Sequence, residues 1–301
     1  MDKTAKAHIA LFLVALIYGA NYTIAKEVMG GGYLAPLPFI LLRVSSAVVL
    51  FWLFHRALVR EKVARADLGR LALCGLFGVA LNQMFFFSGL HWTTPINASL
   101  IMTTTPILVL VVSALILGEG ITWRKIGGIV LGASGAILLI AYGAKLSFGG
   151  QRILGDLLVF FNASFYGIYL VLVKKLMTKY HPITVVKWAF TFGLIFVIPF
   201  GGPGLLDVRW ASFTPGIWLA VLYVLACTTF LAYLFNAYAL SIVNPSVVSI
   251  YIYLQPLLAT LIAVAFSRDH LTPVKALAAL LIFTGVYLVS GAGRPRKVGA
   301  Q

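Results

Sequence analysis

Residues 90–106 read LHWTTPINASLIMTTTP, and 150 positions later residues 240–256 read LSIVNPSVVSIYIYLQP. The slide lays Leu90 on Leu240, Pro95 on Pro245, Ser99 on Ser249 and Pro106 on Pro256, and beyond the quoted stretch Leu108 on Leu258 and Gly135 on Gly285. Acidic Glu119 falls on acidic Asp269. A slide of 148 superposes Ala15, Tyr18-Gly19 and Lys26 on Ala163, Tyr166-Gly167 and Lys174. A chain of 301 residues that matches itself at half its length is read as two copies of one unit, residues 1–146 and 147–301.

The residues around these motifs are overwhelmingly apolar. Hydrophobic types make up 61% of positions and charged types 10%, with a mean hydropathy of +1.00, outside the range of a water-soluble domain. Crossing about 30 Å of hydrocarbon takes about 20 apolar residues in a helix, because backbone groups in lipid must pair within the segment. Ten stretches meet that condition: 8–28, 36–55, 69–90, 95–117, 122–142, 153–177, 181–200, 215–239, 245–266 and 272–291. Breakers and charges separate them, among them Gly30-Gly31-Gly32, the basic run from Arg56 to Arg70, His181-Pro182 and Arg268-Asp269-His270. The first run lacks a small-residue cleavage site of the usual form and is read as a retained span. The expected fold is therefore an all-α integral membrane protein of ten transmembrane helices.

Charge sets the orientation. Lys plus Arg number 23 against 8 Asp plus Glu, with a pI near 10.0, a balance that basic cytoplasmic loops explain without a nucleic-acid partner. With a cytoplasmic N-terminus, fifteen basic residues lie inside and six outside, while Arg43 and Lys187 fall within spans. Both termini are thus expected in the cytoplasm, in a bacterial cytoplasmic (inner) membrane. Five spans per copy is an odd number, so the second copy is inverted relative to the first, an arrangement typical of secondary transporters.

The stretch from Leu117 to Gly135, LGEGITWRKIGGIVLGASG, resembles the drug/metabolite transporter superfamily, EamA type, in its acidic residue after span four and its Gly-rich span five. Gly155-Asp156-Leu157-Leu158 opening span six, and the two stretches ending in Pro106 and Pro256, look like the same family. The second copy departs from the pattern, with Asp269 for the usual Glu and Leu277 for a Gly. The resemblance implies ten helices in inverted five-helix repeats and export of amino acids or related metabolites.

The candidate site is read from polar residues at membrane depth. Asn21, Asn82, Gln83, Asn162 and Asn236 each cost free energy against lipid and should face the bundle interior, pairing with another helix or lining a wet cavity. Aromatic residues keep them company: Tyr18 and Tyr22 flank Asn21, Phe86 lies one turn beyond Asn82, Tyr166 and Tyr169 follow Asn162, and Tyr233 precedes Asn236. Rings with a few fixed amides suit an organic solute better than a small ion. Tyr18, Asn21, Asn82, Gln83, Phe86, Tyr166, Tyr169, Tyr233, Asn236 and Gln255 are expected to converge on one cavity near the mid-plane. Pro106 and Pro256 free the carbonyls of Met102 and Ile252, which Thr103, Thr104 or Thr105 could meet in the first copy and Gln255 in the second. Both prolines are read as hinge or cavity wall, with a packing kink as the alternative. Arg43 and Lys187 each follow a proline by five residues. They either snorkel to headgroups or, in the case of Arg43, hold a substrate carboxylate or phosphate.

Several chemistries have no support in the sequence. The eight acidic residues and five histidines fall at span ends or in loops, so no buried proton relay is evident. No nucleotide-binding loop and no metal-ligand spacing occurs, no cofactor is implied, and Cys74 and Cys227 are expected to pack. The expected function is a secondary transporter, an exporter working by alternating access, with a small organic solute and membrane lipid as partners. A membrane-embedded enzyme acting on lipid substrates is the alternative reading, lacking a nucleophile or acid/base pair within the spans.

Overall fold

The computed structural model describes residues 3–117, 122–146, 151–243 and 251–291. Glu119, Pro245 and Ser249 of the repeat, and the basic residues beyond Gly291, lie outside the described residues. Helix α1 runs Lys3–Gly30 and α2 runs Pro36–Leu58. Gly32 turns the chain between them with φ of 72°, a backbone region open to a residue without Cβ. Then come α3 (Arg65–Trp92), α4 (Pro95–Met102), α5 (Thr105–Leu117), α6 (Trp123–Leu146), α7 (Gln151–Met177) and α8 (Pro182–Leu206). Helix α9 consists of Pro215–Tyr223, a π-helical segment Val224–Leu231 and Ala232–Ile242, and is followed by α10 (Leu254–Ala265) and α11 (Pro273–Gly291). Proline opens α2, α4, α8 and α9, where its missing N–H would be unpaired in any case. Thr94 and Thr214 cap α4 and α9 by accepting from the amides of Asn97 and Ile217.

Among the described residues seven helical stretches are long and apolar enough to cross a membrane: α1, α2, α3, Pro95–Val112, α7, α8 and Pro215–Ala239. Three further apolar helices are shorter, Ile126–Leu138, Leu254–Ala265 and Pro273–Gly285, and each falls in one of the remaining expected spans. Their outer faces are greasy, with Leu53, Leu219, Leu222 and Leu280 all more than half exposed, as lipid contact requires. Inside, Phe51 lies 5.3 Å from Phe190 and 4.9 Å from Phe230, tying α2, α8 and α9 together through ring contacts.

Helices are bent where the sequence did not announce it. The turns Leu76–Leu81 of α3 and Val224–Leu231 of α9 are π-helical, and their first residues are 148 positions apart. The expected proline kinks are corrected in detail. The chain breaks before each proline, at the turn Thr103-Thr104 and at the 3-10 turn Tyr251–Tyr253, so Pro106 and Pro256 stand in the first turns of α5 and α10. There a proline removes no needed donor and fixes where the helix begins. Thr105 Oγ1 donates to the Met102 carbonyl at 2.6 Å, whereas Gln255 is turned to Tyr22, whose hydroxyl donates to Oε1 at 3.3 Å.

The packed pairs come in related sets. Helix α1 lies on α9 and α10, while α7 lies on α3 and α5; α2 packs on α8 and α6 on α11. Small residues permit the closest of these approaches. A Cβ on Gly19 would stand 2.7 Å from Leu258 Cβ, and one on Gly285 would stand 2.5 Å from the Gly128 carbonyl oxygen, so both crossings depend on bare backbone.

Candidate functional site

The π-helical turns prepare the site. A π turn carries one extra residue and leaves backbone groups without their usual partners. In α3 the carbonyl of Asn82, at the end of such a turn, accepts from Asn162 Nδ2 of α7 at 2.6 Å. In α9 the Val224 carbonyl accepts from Thr229 Oγ1 at 2.7 Å, and that same hydroxyl accepts from Arg43 Nε of α2 at 2.8 Å. The two bends thus aim Asn82, Gln83, Thr228 and Tyr233 inward and tie both to neighbouring helices.

A cavity with about 840 Å³ of empty space lies between these turns. Helix α1 contributes Tyr18, Asn21 and Tyr22; α3 contributes Asn82, Gln83, Phe86 and Phe87. Across from them stand Asn162 and Tyr166 of α7, Tyr233 and Asn236 of α9, Gln255 of α10 and Arg43 of α2. Tyr169 departs from the expected set: it lines a smaller adjoining space of about 350 Å³, which shares Tyr18, Tyr166, Tyr233 and Asn236 with the first and continues toward Met177 and Val186. Pro106 and Pro256 are not on the wall. Met102 and Ile252, four residues before each, are. Sequence reasoning passed over Phe87 and Thr228, although Phe87 belongs to the Phe85-Phe86-Phe87 run and shares a face with Gln83 four residues earlier.

Several buried polar atoms of these residues have no hydrogen-bond partner: Asn21 Oδ1, Asn162 Oδ1, Thr228 Oγ1 and Arg43 Nη1. Arg43 is 2% exposed, with its guanidinium carbon 3.9 Å from the centre of the Phe87 ring. It does not snorkel. Lys187 behaves differently from its counterpart, with Nζ 3.3 Å from His55 Nδ1 and 4.2 Å from the Trp52 ring centre, away from the cavity.

One end of the bundle, where α1 and α3 finish and α4, α7 and α11 begin, is closed by charge. Lys26 Nζ donates to the carbonyls of Leu90, His91 and Thr93, and Arg268 pairs with Glu27 at 2.8 Å. Lys275 pairs with Asp269 at 2.7 Å, and Asp269 also accepts from the Ile96 amide. Asp156 accepts from the Thr93 hydroxyl and from Asn97 Nδ2. The sequence placed Asp156 and Asp269 at span ends or in loops and Lys275 among the outer basic residues; all three are at least 91% buried. At the opposite end Lys179 and Tyr180 meet Asp67 at 2.5 and 2.6 Å, and Glu61 accepts from the His181 amide. The Asp67 carboxylate beside Lys179 raises the affinity of that ammonium for its proton above the ordinary lysine value.

Apolar-faced helices that cross a membrane repeatedly around a central cavity define a multi-pass membrane transporter. The chain belongs to the EamA-like transporter family, whose pattern it matches twice, over residues 5–141 and 153–291. A protein of Archaeoglobus fulgidus named "Uncharacterized transporter" is 29% identical over 95% of this chain and 98% of its own. The Bacillus subtilis protein named "Uncharacterized transporter YyaM" is 25% identical over 99% and 98%. A Streptantibioticus cattleyicolor protein named "Probable terminal-alkyne amino-acid exporter" is 26% identical over 96% and 94%. A solved structure, titled "Crystal structure of protein", shares the fold with a TM-score of 0.65 at 20% identity, covering 97% of this chain and 99% of that one.

Proposed function

We propose that this chain is a secondary transporter of a bacterial inner membrane that exports amino acids or related small organic metabolites by alternating access. The observation that carries the proposal is the central cavity, where rings and neutral amides from five helices meet at membrane depth and one end is sealed by buried charge. Ten spans in two inverted units, residues 1–146 and 147–301, form its frame. The doubled family match, the paired π turns and the exchange of α1 on α9 and α10 for α7 on α3 and α5 support that frame. Excess basic residues on the Arg56 to Arg70 and Lys174 to Lys179 segments argue for cytoplasmic termini. In that orientation the sealed end faces outward, and the smaller space beside Tyr169 leads from the cavity toward the cytoplasm. The amino-acid assignment draws on the Streptantibioticus relative's name and on the mixture of rings and amides. Pro106 and Pro256 serve as hinges, since each stands in the first turn of a helix that begins just after a wall residue, Met102 or Ile252.

The test is counterflow of labelled amino acids in proteoliposomes of the purified protein. Saturable exchange, lost in Asn82→Leu and Asn236→Leu proteins that still fold, is the expected result. Full-rate exchange in both variants removes this cavity as the transport site. Strong labelling of an introduced cysteine in the Arg56 to Arg70 segment from outside intact cells reverses the orientation.

A further inference from the structure

We infer that Arg43 anchors a carboxylate, and that the solute carried bears a single carboxylate on an aromatic or otherwise bulky apolar body. The inference rests on the transport reading above and narrows its substrate class. Among the described residues lining the cavity, Arg43 alone carries a formal charge; the tyrosines are neutral near pH 7 and the remaining polar groups are amides and a hydroxyl. A guanidinium buried to 2% exposure without a counter-ion is unfavourable, and proteins rarely keep one without pairing it. None of the ion pairs among the described residues includes Arg43: they join Lys179 to Asp67, Arg268 to Glu27 and Lys275 to Asp269. Among the described residues its Nε donates to Thr229 Oγ1, and Nη1 is buried with no acceptor.

The surroundings hold this cation for use. Thr229 is fixed in turn by its hydroxyl's bond to the Val224 carbonyl within the π turn of α9, and the Phe87 ring lies against the guanidinium at 3.9 Å. An arginine so positioned has Nη1 left for an oxyanion, on the fork that carboxylates match. The charge count then selects among anions. One guanidinium neutralises one carboxylate, whereas a phosphate monoester near pH 7 brings about −1.5 to −2 charges and leaves the excess in a site of low polarity. A cation meets like charge with no acid on the wall to hold it. An amino group on the same solute is tolerated, since Asn21 Oδ1 and Asn162 Oδ1 have no partner of their own, but recognition does not require it.

Five ligands built on one ring separate these cases on the purified, unsubstituted protein: 3-phenylpropionate, phenylalanine, 3-phenylpropanol, phenethylamine and phenyl phosphate. With affinity measured by tryptophan fluorescence or thermal shift, 3-phenylpropionate should bind at least ten-fold tighter than the alcohol, the amine and the phosphate, and within a few-fold of phenylalanine. Arg43→Gln should reduce that preference to near unity. Equal or tighter binding of phenethylamine or phenyl phosphate, a phenylalanine affinity more than ten-fold above that of 3-phenylpropionate, absence of binding by both carboxylates, or an undiminished preference in Arg43→Gln overturns the inference. Should Arg43→Gln fail to fold, the comparison on the unsubstituted protein still decides. The transport reading fails separately. An Arg43-dependent preference with no flux of 3-phenylpropionate leaves the anion site standing without transport, while flux of phenethylamine without anion preference leaves transport standing and removes the anion site.

Discussion

The sealed end and the central cavity both bury polar groups and resolve the cost in opposite ways. At the sealed end nearly every group has found a protein partner: Lys26 holds three carbonyls, Asp156 two side chains, and Lys275 and Asp269 each other. In the cavity, Arg43, Asn21, Asn162 and Thr228 each keep a buried atom without one. Satisfied polar networks hold helices in one arrangement, and unsatisfied ones are where a visiting solute gains the most. Besides residue type, the completeness of pairing separates the two regions.

Breaking the sealed end should therefore cost stability first. Lys275→Ala leaves the Asp269 carboxylate buried without its ion-pair partner, and should lower unfolding free energy by about 3–5 kcal/mol, read by thermal unfolding in detergent. Asp269→Asn combined with Lys275→Met should recover the larger share, because no isolated charge remains. Smaller is the effect expected of Asn162→Leu, about 1–3 kcal/mol, since it strips the partner from the Asn82 carbonyl at the α3 bend. If Asn162→Leu proves neutral in stability while transport is lost, Asn162 belongs with the solute-binding groups and the contrast sharpens.

The cavity amides should show the reverse pattern. Asn82→Leu and Asn236→Leu should each reduce counterflow about ten-fold or more, equivalent to about 1.4 kcal/mol, with unfolding temperature little changed. A large drop in unfolding temperature without a specific effect on counterflow would place these amides among the structural groups instead. Smallest of all should be Glu27→Gln. Its pair with Arg268 is about half exposed on both sides, with side-chain accessibilities of 40% and 52%, so the loss should stay below about 1 kcal/mol. A larger loss would extend the locked region out to the surface.

Much of the architecture could be read from residue order, and the reasons are local. Apolar runs of about 20 residues, broken at Gly30 to Gly32, at Pro95 and at Pro182, mark helices whatever their neighbours do. Asn21, Asn82 and Asn236 announce inward faces because lipid tolerates them poorly. The bends were not legible. Nothing in LFGVAL, residues 76–81, distinguishes a π turn from an α turn, since the extra residue is accommodated by a neighbouring helix rather than by any side chain in the segment. Tyr169 was assigned to the main cavity on helical spacing alone; a side chain one turn along can enter an adjoining space, as this one does.

The sequence by itself determined that the chain lies in a membrane, where its helices fall, that its halves correspond, and which side chains could not face lipid. Those properties follow from the free energy of single residues and segments in hydrocarbon, which needs no partner to evaluate. Only the tertiary structure decided which polar groups pair with one another and which are left for a solute. Arg43 and Lys187 each follow a proline by five residues, yet one turns to the cavity beside Thr229 and Phe87 and the other packs against His55 and Trp52. Asp156, Asp269 and Lys275 stand at or near span ends in the chain and become a buried lock in the fold. Pairing is a property of distances between helices remote in sequence, and those distances are set by how close bare backbone at positions such as Gly19 and Gly285 lets the helices come.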